Sequence, residues 1–180
     1  MEYPWYEIVD TEQLEQGDFL GNCPLLDPPL DLKGPLAADA ELGGVALGFL
    51  DAVVLTQSCD LVANKVNRVL LCPVVPCAST VANLSSKDAN AAFEQLEKHL
   101  VFKRHLLERC QLDGHSHPHR IALFEDVFSL PIDYVRAVLI GAQKLRLRLL
   151  PPYREHLAQR YGTFVTRIGN PTDMTKIPRL

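Results

Sequence analysis

The chain has 180 residues, of which 47% are hydrophobic and 22% are charged, and its formal net charge is −4. This length and composition predict a single globular domain over residues 1–180 with a true hydrophobic core. The net negative charge excludes a global basic field that would attract nucleic acid, and no apolar run approaches the roughly 20 residues of a membrane-spanning helix.

The cysteines indicate a reducing compartment. Five of them are spread along the chain, at positions 23, 59, 72, 77 and 110. An odd number at wide spacing, with no secretory or transit pattern in residues 1–5, argues against a disulfide framework. We therefore expect reduced thiols and a cytoplasmic protein.

Short strands with tight connections are predicted for the first half of the chain. A turn and a strand fall within residues 16–24, and a proline-rich surface loop follows over 24–42. Three further strands are predicted over residues 45–50, 53–55 and 66–75. Pro73 within the last of them indicates an edge strand or a bulge. This pattern is typical of a small barrel or meander.

The second half mixes helices with strands. Apolar residues at helical spacing predict a helix from Ser85 to Leu100, which the pattern extends or restarts through Cys110. A strand is predicted over 120–124, and residues 133–140 fit either a helix or a strand. The last predicted helix begins at Pro151-Pro152 and ends at Gly169.

The stretch after Val53-Val54-Leu55 is the densest cluster of reactive groups in the chain. The apolar run predicts a strand buried on both faces, and it stops at Thr56, Gln57, Ser58, Cys59 and Asp60. One interpretation makes Cys59 a nucleophile with His105, His119 or His156 as its base, or makes Asp60 and the hydroxyls ligand-binding groups. The other interpretation is structural: the hydroxyls and Asp60 bind backbone groups at a turn, and Cys59 packs as a small apolar residue.

Two other clusters suggest binding chemistry. The loop from His115 to His119 could chelate a transition metal with Cys110, but it lacks the paired spacing of structural zinc sites and fits an exposed polar loop. Residues 145–149 alternate leucine with arginine, which predicts a half-buried strand with a basic outer face. That face, with the next helix, could contact phosphates or pair with carboxylates; it comprises Lys144, Arg146, Arg148, Arg154, Arg160 and Arg167.

Gln16-Gly17-Asp18-Phe19, at the start of residues 16–76, is similar to the first strand of MazF/PemK-type toxins, which opens with a basic residue, then Gly-Asp and an apolar residue. Residues 53–56 and 69–74 resemble the family's next strand pair. The resemblance implies an SH3-like β-barrel that cuts single-stranded RNA with an Arg and a Ser or Thr near these strand ends. Thr56 matches the hydroxyl residue, whereas Gln16 stands where the family has a basic residue.

A second resemblance joins the Gln57-Ser58-Cys59-Asp60 motif to residues 152–157. This pairing is similar to that of small uncharacterised bacterial proteins with a QSCD motif. No nucleotide-binding, zinc-protease or α/β-hydrolase motif is present, so no cofactor is expected.

Together these observations predict an α+β fold in which a small SH3-like β-barrel, residues 16–76, packs with two or more helices. Residues 77–180 would complete it with helices and strands. The predicted role is an intracellular, bacterial-type interaction module with a protein partner, in the toxin or phage-defence setting that the resemblance implies. The alternatives are an endoribonuclease acting on single-stranded RNA through Thr56, Ser58 and Asp60, and a cysteine hydrolase using Cys59.

Overall fold

The computed structural model of the chain describes residues 4–27, 46–141 and 145–166. Most of the loop predicted over 24–42 lies outside the described residues, as do Lys144 and Arg167 of the predicted basic face. Within the described residues, no helix has the length and apolar character needed to cross a membrane.

Eight strands and five α-helices are described. The strands are β1 Tyr6–Asp10, β2 Phe19–Asp27, β3 Ala46–Val54, β4 Arg68–Pro76, β5 Arg104–Leu107, β6 Arg120–Leu123, β7 Phe128–Pro131 and β8 Leu145–Leu149. The helices are α1 Ser58–Val62, α2 Cys77–Val81, α3 Ser86–Glu97, α4 Ile132–Gly141 and α5 Tyr153–Thr166, and a 3-10 helix spans Phe124–Asp126.

Every described strand pair is antiparallel, and the strands form two sheets. The larger sheet has the order β2-β3-β4-β6-β5, with β7 also paired to β4, and the smaller one joins β1 to β8. An antiparallel sheet with helices around it confirms the predicted α+β class. The larger sheet is open in the described part of the chain.

The centre of the larger sheet is β4. One of its edges pairs with β3, and its other edge pairs first with β7, through Arg68 to Leu71, and then with β6, through Val74 to Pro76. Pro73 lies between these two ladders, where the partner strand changes. The prediction that Pro73 marks an edge strand is therefore wrong: a residue without an N–H is tolerated here because the ladder is interrupted at that point.

Two of the predicted element assignments also change. The strand predicted over 45–50 and the one predicted over 53–55 are a single strand, β3, which passes through Asp51 without a break. The helix predicted from Ser85 ends at Glu97, and the extension through Cys110 is wrong, because Arg104–Leu107 forms β5 instead. Ser85 caps α3 as expected, since its Oγ accepts a hydrogen bond from the Asp88 N–H at 3.2 Å.

The sequence of β3 ends in a continuous apolar run because both faces of the strand pack into the core. Val53 faces one cluster, which includes Phe19, Leu149 and Leu157 from β2, β8 and α5. Val54 faces another, with Val135 of α4. Val53 and Val54 are both completely buried, so the predicted burial on both faces is confirmed. The core therefore holds β3 on both faces, and this fixes the position of the Gln57–Asp60 turn that follows the strand.

Candidate functional site

Thr56 terminates β3 through its side chain. The Leu55 N–H still donates to the Leu70 carbonyl of β4 at 2.9 Å, but at the next position the Thr56 Oγ1 replaces the backbone and accepts from the Leu70 N–H at 2.7 Å. This hydroxyl therefore satisfies a strand amide that the departing chain would otherwise leave unpaired. Thr56 is positioned as part of the turn that leads into α1.

Ser58 and Gln16 fasten the segment before β2 to the same turn. The Ser58 Oγ accepts from the Gln16 N–H at 3.0 Å, and the Gln16 Nε2 donates to the Leu55 carbonyl at 2.8 Å. Gly17 follows, with a φ of 88° that favours glycine, and its N–H donates to the Val54 carbonyl at 2.9 Å. The buried Gln16 side chain thus holds the end of β3, at the position where the resembled toxins carry a basic residue.

Cys59 and Asp60 lie on the outer side of α1. The Cys59 side chain is exposed, and its Sγ lies 3.8 Å from the Asp60 Oδ1. The same Asp60 oxygen is 3.7 Å from the Lys65 Nζ, in an ion pair whose side chains are largely exposed. These two residues are the part of the predicted site that is open to a ligand or a partner.

Behind the turn lies a buried ion-pair network centred on Asp18, which is fully buried. Its Oδ2 accepts from the Arg146 Nε at 2.7 Å and from the Arg148 Nη2 at 3.0 Å, and the Glu15 N–H donates to the same oxygen at 2.9 Å. The Arg148 Nε donates to the other oxygen. This carboxylate is therefore saturated with donors and fixes β8 against the segment before β2.

The predicted basic outer face of β8 is wrong. Arg146 and Arg148 are only 3% and 7% exposed, because their face of β8 packs against residues 11–18. Burial acts to lower the pKa of Arg148, but the hydrogen bond and charge of Asp18, with the charge of Glu15, raise it above its ordinary value. Alternation along the strand predicted which residues share a face, but not that both faces are covered.

The network continues outward to α5. Glu15 pairs with Arg148 at 2.9 Å and with Arg154 at 3.4 Å, and the Arg154 Nη2 lies 2.9 Å from the Glu155 Oε1. Arg160, further along α5, donates from Nη2 to the Val101 carbonyl at 3.2 Å. Of the predicted nucleic-acid-binding arginines, two are thus buried, two are partly buried on α5, and Arg167 lies outside the described residues.

A pocket of about 300 Å³ lies between the turn and α5. Its lining residues are Gln16, Gln57, Ser58, Cys59, Arg154, Glu155 and Ala158. The QSCD motif and the start of the last helix, which the sequence resemblance links, therefore contact the same space. We call this the turn–helix pocket. Its lining is polar, and its described charges come from Arg154 and Glu155, which pair with each other.

The three histidines considered as a base for Cys59 lie elsewhere. None of them lines the turn–helix pocket among the described residues. The His119 Nε2 is 2.9 Å from the Glu108 Oε1, and the rings of His105 and His156 contact each other, with centroids 5.2 Å apart. No described contact joins a histidine to the Cys59 thiol.

The His115–His119 loop forms a separate pocket of about 330 Å³ with Asp51 and Arg120. Cys110 and His117 form an isolated antiparallel bridge, and the His117 Nδ1 lies 2.8 Å from the Pro118 carbonyl oxygen. Desolvation lowers the pKa of His117 despite that contact. Across residues 4–27, 46–141 and 145–166, no group of three or more His, Cys, Asp or Glu side chains is placed to hold a metal ion.

Sequence reasoning missed the residues that organise this region, Asp18 and Glu15. Asp18 was visible only as part of the Gly-Asp pair of the resembled family. The signal that could have identified it is the alternation of Arg146 and Arg148 on one strand face, since two buried guanidinium groups require a carboxylate partner.

Comparison with models of protein families gave no match, and comparison with curated proteins gave none either. The function is therefore argued from the geometry of the chain itself.

Proposed function

We propose that the chain is a non-catalytic binding module whose partner is a protein, and that the turn–helix pocket is the centre of the surface that the partner contacts. The observation that carries this proposal is the use of the hydroxyls. Thr56 and Ser58 both accept hydrogen bonds from backbone N–H groups of other segments, at 2.7 and 3.0 Å. They serve the turn, and neither is paired with a base among the described residues.

The charges support the same proposal. Gln16 replaces the basic residue of the resembled toxins and is buried against the Leu55 carbonyl. Asp18 is neutralised by two arginines, and Arg154 is shared between Glu15 and Glu155. A ribonuclease needs free cationic and proton-transfer groups at its scissile phosphate. The described groups around the turn are committed to one another instead.

The rigid support of the pocket suits recognition. Its turn is fixed by β3 and β4, and the start of α5 is fixed through Glu15 to the buried network. Binding surfaces on a preorganised frame lose less entropy when the partner docks. An intracellular location and the toxin or defence setting remain parts of this proposal.

The SH3-like barrel is also a proposal. Its support is the antiparallel meander β2-β3-β4. Two contacts link this meander to β8, which pairs with β1: an isolated bridge between Asp18 and Arg148, and a 2.9 Å hydrogen bond from the Leu149 N–H to the Gly17 carbonyl. In the proposed barrel, these contacts would join the two sheets around the first core cluster.

The test attaches a photo-crosslinker to Cys59, the one exposed cysteine in the chain. We expect a discrete protein adduct in cells that produce the chain naturally, and we expect Glu155→Lys, which reverses an exposed charge of the pocket and keeps the Glu15–Arg154 pair, to reduce it without loss of folding. The matched control carries the label on the exposed position 79 of α2, as Ser79→Cys in a Cys59→Ser background. Adducts of equal yield and identity at both positions, or none at Cys59, would overturn the proposal.

A further inference from the structure

Three histidines from different parts of the chain meet near the start of α5. His99 follows α3, His105 lies on β5 and His156 lies on α5. Their ring centroids are 4.7 Å apart for His99 and His156, 5.2 Å for His105 and His156, and 5.8 Å for His99 and His105. We call these residues the histidine cluster. His99 has a φ of 55°, a left-handed conformation that is uncommon outside glycine and that places its ring beside the other two.

The cluster contains nitrogens without hydrogen-bond partners. His105 is 1% exposed, and neither its Nδ1 nor its Nε2 has a partner among the described residues. The His99 Nδ1 and the Arg160 Nε are also buried without a described partner. A buried polar group that finds no partner costs free energy, so such a concentration requires an explanation.

The electrostatic surroundings of the cluster favour an anion. Arg160 is one turn after His156 on α5, so both side chains leave the same face of the helix. Burial first, then His156, His99 and Arg160, lowers the pKa of His105 to about 3. Desolvation and Arg160 also lower the pKa values of His99 and His156. The imidazoles are thus kept neutral first by burial and then by the positive charge of their neighbours.

A pocket of about 370 Å³ gives access to the cluster. It is lined by His99 and His156, by the stacked rings of Trp5 and Tyr153, whose centroids are 3.7 Å apart, and by Leu106, Glu97 and Glu108. Glu108 is already engaged, because its Oε1 lies 2.9 Å from the His119 Nε2. Glu97 is the remaining acidic side chain that faces the pocket.

We propose that this pocket binds a small phosphorylated molecule, whose phosphoryl oxygens accept hydrogen bonds from His99 and His156, the two members of the cluster that line it. The positive charge of Arg160, one turn after His156, would favour the anion, and the rest of the molecule would pack against Trp5 and Tyr153. A guanidinium and imidazole N–H groups are the donors that tetrahedral oxyanions take in proteins. The phosphoryl charge would also offset the repulsion that, together with burial, keeps the imidazoles unprotonated. This site is separate from the turn–helix pocket and does not depend on the proposed partner.

The first experiment titrates inorganic phosphate into the full chain by calorimetry. We expect saturable binding of one phosphate per chain, weakened about tenfold or more by Arg160→Gln. His156→Phe is the second variant, since it keeps a ring at the mouth of the pocket and removes only the nitrogens. Lys98→Gln is the matched control, because it removes an equal charge next to His99 from an exposed side chain that pairs only with Glu94 among the described residues.

The second experiment measures the pH dependence with sulfate, a tetrahedral dianion that does not titrate near neutral pH. Anion binding should draw protons onto the imidazoles, so affinity should rise about tenfold for each pH unit of acidification per proton taken up. We expect a rise between pH 8 and pH 6 that His156→Phe reduces and Lys98→Gln preserves. Absence of saturable binding in the folded wild type, or equal weakening by Lys98→Gln and Arg160→Gln, would overturn the proposal.

Discussion

At the scale of single residues, Asp18 has a central structural role that was not predicted from the sequence. Its two oxygens accept at least four hydrogen bonds, three of them from buried arginines. A carboxylate in this position compensates the desolvation of two guanidinium groups, so its removal leaves uncompensated charge in the interior. The contribution of the network is therefore best measured by breaking it.

We predict that Asp18→Asn lowers the free energy of unfolding by about 3–5 kcal/mol. The matched control is Asp60→Asn, whose ion pair with Lys65 is exposed and should contribute no more than about 1 kcal/mol. Urea unfolding monitored by circular dichroism measures both variants. Equal effects of the two substitutions would contradict the central position of Asp18.

A second residue-scale prediction concerns His105. Its folded-state pKa of about 3 is far below its ordinary value of 6.5, so the unfolded chain binds a proton more readily than the folded chain. Stability should therefore be complete above about pH 6.5 and should decrease as the pH falls towards 3. Thermal unfolding across this range should show the decrease in wild type.

His105→Phe should reduce that acid dependence, and the lowered pKa values of His99 and His156 should account for the part that remains. The substitution keeps an aromatic ring stacked near Phe124 and removes two buried nitrogens that have no partner in the described part of the chain, so we also expect a gain of about 1–3 kcal/mol at pH 7. His115→Phe, on a partly exposed loop residue, serves as the control. If His105→Phe loses as much stability as the wild type between about pH 6.5 and pH 3, another group is responsible for the decrease.

At the scale of elements, Thr56 tests whether the turn is structural. Its hydroxyl accepts the hydrogen bond from Leu70 that closes the β3–β4 ladder. We predict that Thr56→Val costs about 1–3 kcal/mol, because a partly buried strand amide loses its partner, whereas Thr56→Ser costs less because it keeps the oxygen. Hydrogen exchange at the Leu70 amide is the direct measurement. Unchanged protection in Thr56→Val would contradict the structural role.

The elements also show how far the sequence could predict the fold. Apolar runs and periodicity correctly predicted β4, β8 and the capped start of α3, since these depend on local pattern, and they located β3 but divided it into two strands at Asp51. They failed for β5, because the apolar pair Leu106-Leu107 fits either period when the strand has only four residues. They also failed for the burial of Arg146 and Arg148, whose partner Asp18 lies about 130 positions away in the chain.

At the scale of the whole molecule, the cysteines report on the integrity of the fold. Cys59 is exposed and the other four are buried. Desolvation raises the pKa of Cys23 to about 11 and raises those of Cys72 and Cys77 as well. Thiolate is the reactive form, so these buried groups are both shielded and protonated at neutral pH.

We therefore predict that one thiol per chain reacts with an alkylating reagent in buffer at pH 7.5 and that all five react in denaturant. Mass spectrometry identifies the labelled position, and Cys59→Ser should abolish the native reaction. Rapid native labelling of Cys72, which is completely buried in β4, would show that the described core is wrong.

The candidate site itself was only partly predictable from the sequence. The Gln57–Asp60 stretch was recognised because an apolar run stops at polar residues, and its position at the end of a buried strand is confirmed. The contact with α5 joins residues about a hundred positions apart, and no local pattern encodes it. The histidine cluster is equally non-local, since it combines a helix end, a strand and a second helix.

The most direct measurement is cleavage of a mixed single-stranded RNA pool by the purified wild-type chain, beside a Thr56→Ala/Asp60→Ala variant shown to be folded. The proposed binding module predicts that neither protein cleaves the RNA, because the hydroxyls serve the turn and the nearby arginines are paired. Cleavage by the wild type that the folded variant loses would contradict this account and identify the turn as a ribonuclease active site.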